Sequence, residues 1–533
     1  MGLSYVVMKD HVAKFVIIGL LLIVVGVPML LRPAKGEAGG EVVALNGAGD
    51  TKLIIMTPHN EQIRYEFATA FNQWRLKQGK ETVVFDWRAG GGTSDLRKQL
   101  LTQFVDAAKD GREEMGVGVD LFFGGGEYDH NKLAKGIKFK RDGEERKLSV
   151  SVPAGLNEAV IEDAFPGQMI GGSKLYRDDL LWVGTALSSF GIVYNRDVVE
   201  MLGVKEPKTW LDMTQPEFRD WAALADPSHS GSIAATYNVI LMRKGWEDGW
   251  SLLRRAFANA RYFASSSSKV PVDVSSGEAG LGMCIDFYGR FQAAVTDDVR
   301  VGYVDPAYMT AITPDPISVI RGAPHKAIAK EFIEWLLTKD AQGLWQKRIG
   351  TAGGPLASEL RRQPIRRDMF TIDGKVDWAD RELDPFSVAK PFVDGVPDYF
   401  GFVALVSHAM AIDIHEELKA AWAVINRVED GNPVKGEMLR LFDAMPKELV
   451  VDWPSDELRD QWLLILEDED DLRRDEVLGV LDGFVKGLKG RYKKNPDLKL
   501  QDRLAWTLFF RENYRRIVEL EKQVELRRIA VAE

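Results

Sequence analysis

An α/β protein of two lobes with an α-helical C-terminal extension is the fold class that the sequence predicts, and three observations predict it. From Thr51 onward, short apolar runs alternate with amphipathic stretches, the pattern of a mainly parallel sheet with helices on its faces. At 533 residues the chain exceeds what one hydrophobic core organises. Beyond about residue 400 the strand pattern stops and helical periodicity takes over.

The first 50 residues stand apart from that pattern. Phe15 to Leu31 is uncharged and almost wholly apolar, and it follows Lys9, His11 and Lys14. Its length falls between a signal-peptide core and a spanning helix, so it reads as an export signal, either cleaved or kept as an anchor. Gly36-Glu37-Ala38 offers a small-residue cleavage site, but Arg32 and Lys35 beside the apolar run favour the anchor. Pro33 to Asp50, rich in Gly, Ala and charge, suits a flexible tether. The product is expected in the periplasm or on the extracellular face of the inner membrane.

Three strand-helix units follow. Leu53 to Met56 is a strand and Glu61 to Leu76 a helix, with Ile63, Phe67, Ala70, Phe71 and Trp74 at helical spacing. Thr82 to Trp87 and Asp95 to Ala108 repeat the scheme, and Asp120 to Phe123 is the third strand. Residues 136 to 179, Gly-rich and charged, read as an insertion. Leu180 to Asn195 returns to strand character, broken at Ser188, Ser189 and Phe190, where a strand crosses between lobes. The second unit has a strand near Ala222 to Ala225, a helix from Ser232 to Met242, and the pair Leu281 to Ile285 and Phe287 to Val295. Ala323 to Gln346 is expected as two helices, the first opened by Pro324. In the extension, Leu504, Leu508, Phe509, Ile517, Leu520 and Val524 mark one helix, and Glu467 to Asp471 is a solvated acidic stretch. The expected lobes are 51–185 with part of 296–345, and 190–295; 346–425 packs on them as further α structure, and 426–533 is the helical extension. Hinge crossings are expected near Ser188 and Val299 to Asp305.

Composition removes several function classes. Hydrophobic residues at 45% and charged residues at 28% are ordinary globular values. A formal net charge of -10 offers no basic face for nucleic acid. Cys284 is the only cysteine, so an internal disulfide and a cysteine-rich metal site are both ruled out, as is lipid anchoring through a cysteine after the apolar segment. No Gly-x-Ser-x-Gly elbow, phosphate-loop or dinucleotide fingerprint occurs, and His415-Glu416-Glu417-Leu418-Lys419 lacks the second histidine of a zinc-protease motif. His408 and His415 would share a helix face near Asp413 and Glu416. A hydrolase working through two carboxylates has no local signature and stays as a rival class.

The loops after the strands carry the remaining signal. Thr57-Pro58-His59-Asn60-Glu61 follows the first strand, Gly90-Gly91-Gly92-Thr93-Ser94-Asp95 the second, and Asp120-Leu121-Phe122-Phe123-Gly124-Gly125-Gly126 spans the third. Then come Phe190-Gly191-Ile192-Val193-Tyr194-Asn195, Asp226-Pro227 with Ser230-Gly231-Ser232, Ile285-Asp286-Phe287-Tyr288-Gly289 and Gly322-Ala323-Pro324-His325. In this order, across roughly 51 to 425, they resemble the extracellular solute-binding proteins of ABC transporters, of the ferric-iron, thiamine and phosphonate or sugar-phosphate group. The resemblance implies a periplasmic-binding-protein-like clamp of type II, a cleft between lobes for a small-molecule ligand, and delivery to an ABC permease in the inner membrane. Two departures stand out. The helical tail is longer than the resemblance leads one to expect, and the two adjacent tyrosines common in ferric binders are here Phe287 and Tyr288.

Ligands of open α/β sheets lie beyond the carboxyl ends of the strands, where helix N-termini present N–H groups. The candidate ligand-binding residues are therefore His59, Asn60, Gly92, Thr93, Ser94, Ser189, Ser230, Gly231, Ser232, Asp286 and Tyr288. Each serine or threonine can equally be a helix cap, as can Asn60 and Asp286. A small organic phosphate, phosphonate or carboxylate fits best, with no cofactor and no catalysis. Ferric iron as transported ligand is the alternative, held by His59, Glu127, Asp129 and Tyr288, although Glu127, Tyr128, Asp129 and His130 are consecutive and do not readily converge. A sensory ectodomain is the third class, with the helical tail as its docking element.

Overall fold

A computed structural model describes residues 51–296, 299–466 and 473–532, so the apolar segment Phe15 to Leu31 and the acidic stretch Glu467 to Asp471 lie outside the described residues. Among the described residues, Thr51 and Asn72–Val84 form a small compact unit of their own. Within it the Asn72 amide donates to the Val83 carbonyl at 3.0 Å and accepts from the Val83 N–H at 2.8 Å. Lys52–Phe71 with Phe85–Glu533 forms the larger unit, which holds everything described below.

Two sheets organise that unit. The first is seven-stranded, in the order Gln363–Pro364, Val183–Ser188, Thr313–Ile320, Leu121–Phe123, Lys52–Met56, Val84–Arg88, with Ser151–Val152 also paired to Thr313–Ile320. Lys52–Met56 and Leu121–Phe123 run parallel, with Ile55 opposite Leu121. The second is five-stranded: Ala260–Ala264, Ala222–Ala225, Leu281–Ile285, Phe190–Asn195, Val301–Val304. Strands buried on both faces read as continuous apolar runs, which is why Leu121–Phe123 and Ala222–Ala225 were legible.

The chain passes from the first sheet to the second at Ser189, between Val183–Ser188 and Phe190–Asn195. It returns through residues 305–312, later than the expected Val299 to Asp305, because Val301–Val304 is itself a strand paired with Phe190–Asn195. Ser189 Oγ donates to Asp305 at 2.7 Å, and the Phe190 N–H donates to Thr310 Oγ1 at 3.1 Å, so the two crossings are tied side by side. Short paired connections of this kind are the structural requirement for hinge closure.

Some element boundaries differ from expectation. The second strand is Val84–Arg88 and its helix Thr93–Lys109. Pro324 precedes its helix, Lys326–Leu336, rather than opening it; His325 occupies the N-cap, its N–H donating to the buried Asp120 carboxylate at 2.6 Å. The insertion contains a hairpin, Ile137–Arg141 with Glu144–Leu148. His408 and His415 sit on two helices, Phe400–Met410 and His415–Arg427, separated by the 3-10 turn Ile412–Ile414, and do not share a face.

The helical extension shares a continuous core with the second sheet, through Trp246 and Trp250 from one side and Trp462, Trp506 and Tyr514 from the other. On the last helix, Leu498–Ala532, the buried face keeps Ile517 and Leu520 of the expected series but not Leu504 and Leu508. Trp506, Phe510, Tyr514, Ile517 and Leu520 are buried, whereas Leu504 and Leu508 are 58% and 62% exposed. Both stripes have helical spacing; the aromatic one buries more area and satisfies its polar tip, since Tyr514 OH donates to the Met410 carbonyl at 2.9 Å. The side chain of Val524 lies outside the described residues. Phe510→Ala is therefore expected to cost about 3–5 kcal/mol in urea unfolding followed by circular dichroism, and Leu508→Ala no more than about 0.5 kcal/mol. Equal costs would place the buried face wrongly.

Candidate functional site

A cavity of 580 Å³ opens at the carboxyl ends of strands from both sheets. Every parallel strand leading to it ends in a loop that lines it. Pro58 and His59 follow Lys52–Met56, Gly91 to Thr93 follow Val84–Arg88, and Gly125 to Asp129 follow Leu121–Phe123. From the second sheet come Ser230 to Ser232 after Ala222–Ala225, Ser266 to Ser268 after Ala260–Ala264, and Ile285, Phe287 and Tyr288 around the end of Leu281–Ile285.

Four of the helices that begin in these loops have their N-cap residue in the cavity lining. Thr93–Lys109, Glu127–Lys135 and Lys269–Ser276 have Gly92, Gly126 and Ser268 at their N-caps, none with a side-chain cap bond. Gly231–Lys244 is capped by Ser230, whose Oγ accepts from the Ile233 N–H at 3.4 Å. At the starts of Thr93–Lys109 and Glu127–Lys135, uncapped first-turn N–H groups and the positive end of the helix dipole favour an anion; at Lys269–Ser276 the Lys269 and Val270 N–H groups already donate to the Ser266 and Ser267 carbonyls and Pro271 has none.

Glycine is required where the loops meet. A Cβ at residue 92 would lie 2.2 Å from the His229 carbonyl oxygen, and one at Gly125, whose φ is +101°, would lie 2.2 Å from Thr93 Cγ2. Loops of opposite sheets are in direct contact here: Lys98 Nζ donates to the Ser228 carbonyl at 2.9 Å, and His229 Nδ1 is 3.1 Å from Asp95 Oδ2.

The floor is a buried charge cluster. Asp315, on the returning strand Thr313–Ile320, accepts from the Gly125 N–H at 2.7 Å and pairs with Arg362 and with His59 Nε2, each at 2.8 Å. Burial raises the Asp315 pKa, but Arg362 and His59 outweigh it and hold the carboxyl below the ordinary range. The His59 pKa is lowered as well, because burial lowers it more than Asp315 raises it. His59 Nδ1 and Arg362 Nε are both buried with no hydrogen-bond partner among the described residues, and both residues line the cavity. The Arg362 guanidinium also lies 4.5 Å over the Phe287 ring.

Of the residues singled out from sequence, His59, Gly92, Thr93, Ser230, Gly231, Ser232 and Tyr288 line the cavity. Asn60 caps its helix instead, Oδ1 accepting from the Ile63 N–H at 3.1 Å. Ser94 is buried in the first turn of Thr93–Lys109 and is not in the lining. Ser189 and Asp286 belong to the hinge: the Asp286 N–H donates to the Ser189 carbonyl at 3.0 Å, and Asp286 is the first residue of the helix Asp286–Thr296.

The proposed metal set is not assembled. Glu127 accepts from Asn131 at 3.0 Å, Asp129 pairs with Arg97 at 2.5 Å and His59 with Asp315 at 2.8 Å, while His130, outside that set, meets Ser318 Oγ at 2.7 Å. Burial pushes the Tyr288 hydroxyl up to about 12, away from tyrosinate. Among the described residues no three His, Cys, Asp or Glu side chains come together in a way that would hold a metal.

Sequence reasoning missed Arg362, Asp315 and Ser266 to Ser268. The four-serine run before Lys269 was a legible helix-start signal. Arg362 and Asp315 had none. Phe392, Asp398 and Phe400, which also line the cavity, come from beyond both sheets.

Two α/β sheets joined by paired crossings, with a cavity at the strand ends between them, make the periplasmic-binding-protein fold. The protein is similar to the periplasmic binding protein AfuA from Actinobacillus pleuropneumoniae, with exogenous fructose-6-phosphate bound, over 70% of this chain and 98% of that one, at a TM-score of 0.50 and 15% identity. Iron-bound HitA from Pseudomonas aeruginosa matches over 64% of this chain and 92% of its own at a TM-score of 0.46 and 15% identity.

Residues 163–373 match the family described as bacterial extracellular solute-binding protein. The chain thus resembles the extracellular solute-binding proteins, as its dispersed loop motifs do. Its curated relatives include the phosphoglycerate transport regulatory protein PgtC of Salmonella typhimurium, 28% identical over 160 residues, which are 30% of this chain and 39% of the relative. The chain therefore spans well under half the length of that relative.

The hinge generates a pH prediction. Burial, then the neighbouring Asp305 carboxylate, raises Asp286 to about 7. A carboxyl raised in the folded state contributes stability that is fully present below its unfolded pKa, near 4, and is lost as pH rises through about 7. The melting temperature is expected to fall between pH 5 and pH 8, and Asp286→Asn to flatten that fall. An unchanged slope in the variant would exclude Asp286 as its source.

Proposed function

We propose that the protein is a solute-binding protein that captures a small organic anion in the cleft between its two sheets and delivers it to an ABC-type permease, without catalysing a reaction. The observation that carries this reading is the convergence on one cavity of the N-termini of Thr93–Lys109 and Glu127–Lys135 from one sheet and of Gly231–Lys244 from the other. Donors on both walls mean that an anion bridges the lobes, and bridging favours the closed clamp. In this reading residues 51–185 with part of 296–345 form one lobe and 190–295 the other, as a type II clamp. The apolar N-terminal segment exports the chain to the periplasmic face of the inner membrane and anchors it there.

The likeness to extracellular solute-binding proteins supports the same function, and the cavity's size supports an organic ligand. Pockets of roughly 300–1,000 Å³ hold small organic molecules, whereas a ferric ion needs a tight oxygen-ligand shell. His59, Gly92, Thr93, Ser230, Gly231, Ser232 and Tyr288 are the proposed contacts, joined by Arg362 from the floor. The lipid-facing anchor and the long helical tail also suit a sensory ectodomain, which would bind the same ligand and signal to a partner.

Titration calorimetry of the full chain against inorganic phosphate, organic phosphates and ferric citrate tests the reading. Phosphate compounds are expected to bind without turnover, and Thr93→Ala and Ser232→Ala, one on each wall, each to weaken binding about tenfold, the scale of one charge-assisted hydrogen bond. Tight iron binding with a tyrosinate charge-transfer band, lost in Tyr288→Phe, would defeat it.

A further inference from the structure

The cavity has a third wall. Phe392, Asp398 and Phe400 line it, although the last strand of either sheet in the sequence, Gln363–Pro364, ends well before them. The segment that carries them, residues 389–400, is fastened at both ends to the helix Gly231–Lys244, whose N-terminus supplies Ser232. Arg243 donates to the Lys390 and Pro391 carbonyls at 2.5 and 2.7 Å, and its guanidinium lies 4.2 Å over the Phe392 ring. Asn238 Oδ1 accepts from the Tyr399 N–H at 3.0 Å. At its far end Phe400 stacks on Tyr128 with ring centroids 3.9 Å apart and planes 24° apart, and Tyr128 stands in the first turn of the helix Glu127–Lys135 from the first sheet.

Of the polar side chains near this wall, Asn131 and Asn238 are already engaged with the protein, while Lys132, 4.9 Å over the Tyr128 ring, and Asp398 keep capacity for a ligand. Asn131 donates to Glu127 and accepts from Arg177 and Trp182. Asn238 is used by Tyr399, and Asp398 accepts from the Phe400 N–H at 2.9 Å. The rings of Tyr128, Phe392 and Phe400 are only part-buried while lining the cavity, and Val239 and Met242 continue the apolar surface beside them. A polyhydroxylated ligand body would meet Asp398 and Lys132 but set its other hydroxyls against the three rings, whereas a flat apolar body would complete the burial of the rings.

We infer that the strap 389–400 is the specificity-determining wall of the cleft, and that it selects anions carrying a flat apolar or aromatic body, received by Tyr128, Phe392 and Phe400, over polyol phosphates. This rests on the anion reading proposed above. The anionic group binds at the helix N-termini and the body lies along the strap, so the two ends of the ligand are read by different parts of the chain.

Calorimetry of the full chain with three probes sharing one anionic group tests it: phenyl phosphate, glycerol 3-phosphate and inorganic phosphate. Phenyl phosphate is expected to bind at least tenfold more tightly than glycerol 3-phosphate. Phe400→Ala should weaken phenyl phosphate fivefold or more and leave inorganic phosphate within twofold. Phe400→Leu, apolar but not planar, keeps the packing on Tyr128 and should lose the same preference, which guards against a folding defect in the alanine variant. Glycerol 3-phosphate binding as tightly as phenyl phosphate, or both variants weakening all three probes alike, overturns the inference while leaving the anion reading intact. Binding of none of the three overturns the anion reading itself.

Discussion

A carboxylate that is 1% exposed must be met by donors on every side, and Asp315 is met from three separate parts of the chain. The Gly125 N–H comes from the loop after the third strand, His59 from the loop after the first, and Arg362 from a segment beyond both sheets. Asp315 itself sits on the strand that has just returned from the second sheet. One buried charge therefore fixes the floor of the cavity, the positions of two of its loops and the landing of the second crossing. Buried ion pairs contribute more to a unique arrangement than to net stability, and removing one partner leaves an uncompensated charge. Here the cluster leaves His59 Nδ1 and Arg362 Nε without a hydrogen-bond partner among the described residues.

Above that floor the chemistry is mostly backbone. The loops that approach across the cleft do so with glycine at the contact points, which brings helix N-termini from opposite sheets to the same space. Cross-cleft contacts at Lys98 and His229 hold the rims together. The paired crossings at Ser189 and 305–312, tied through Asp305, give the motion that opens the cleft a defined axis.

The parallel strand-helix units were legible in the sequence because burial on both faces leaves continuous apolar runs, and helices keep a 3.6-residue period. The first crossing was legible as a break at Ser188 to Phe190. The second was misplaced because Val301–Val304 looks no different from a linker until its partner strand is known. Asn60, Ser189 and Asp286 were read as ligand residues because caps, hinges and ligand contacts draw on the same residue types. Asp315 and Arg362 were invisible for a different reason: their partnerships with His59 span 256 and 303 residues, and no local pattern encodes them. On the last helix Ile517 and Leu520 were legible, but Leu504 and Leu508 are exposed, and Trp506, Phe510 and Tyr514 take the face that meets the core.

The central claim is that one anion is held by N–H groups from both sheets at once. Amide hydrogen exchange of the full chain, with and without saturating organic phosphate, tests it most directly. The account predicts slowed exchange in two separate sets of amides, those opening Thr93–Lys109 and Glu127–Lys135 on one wall and those opening Gly231–Lys244 on the other. Protection confined to one wall, or to neither, would contradict it.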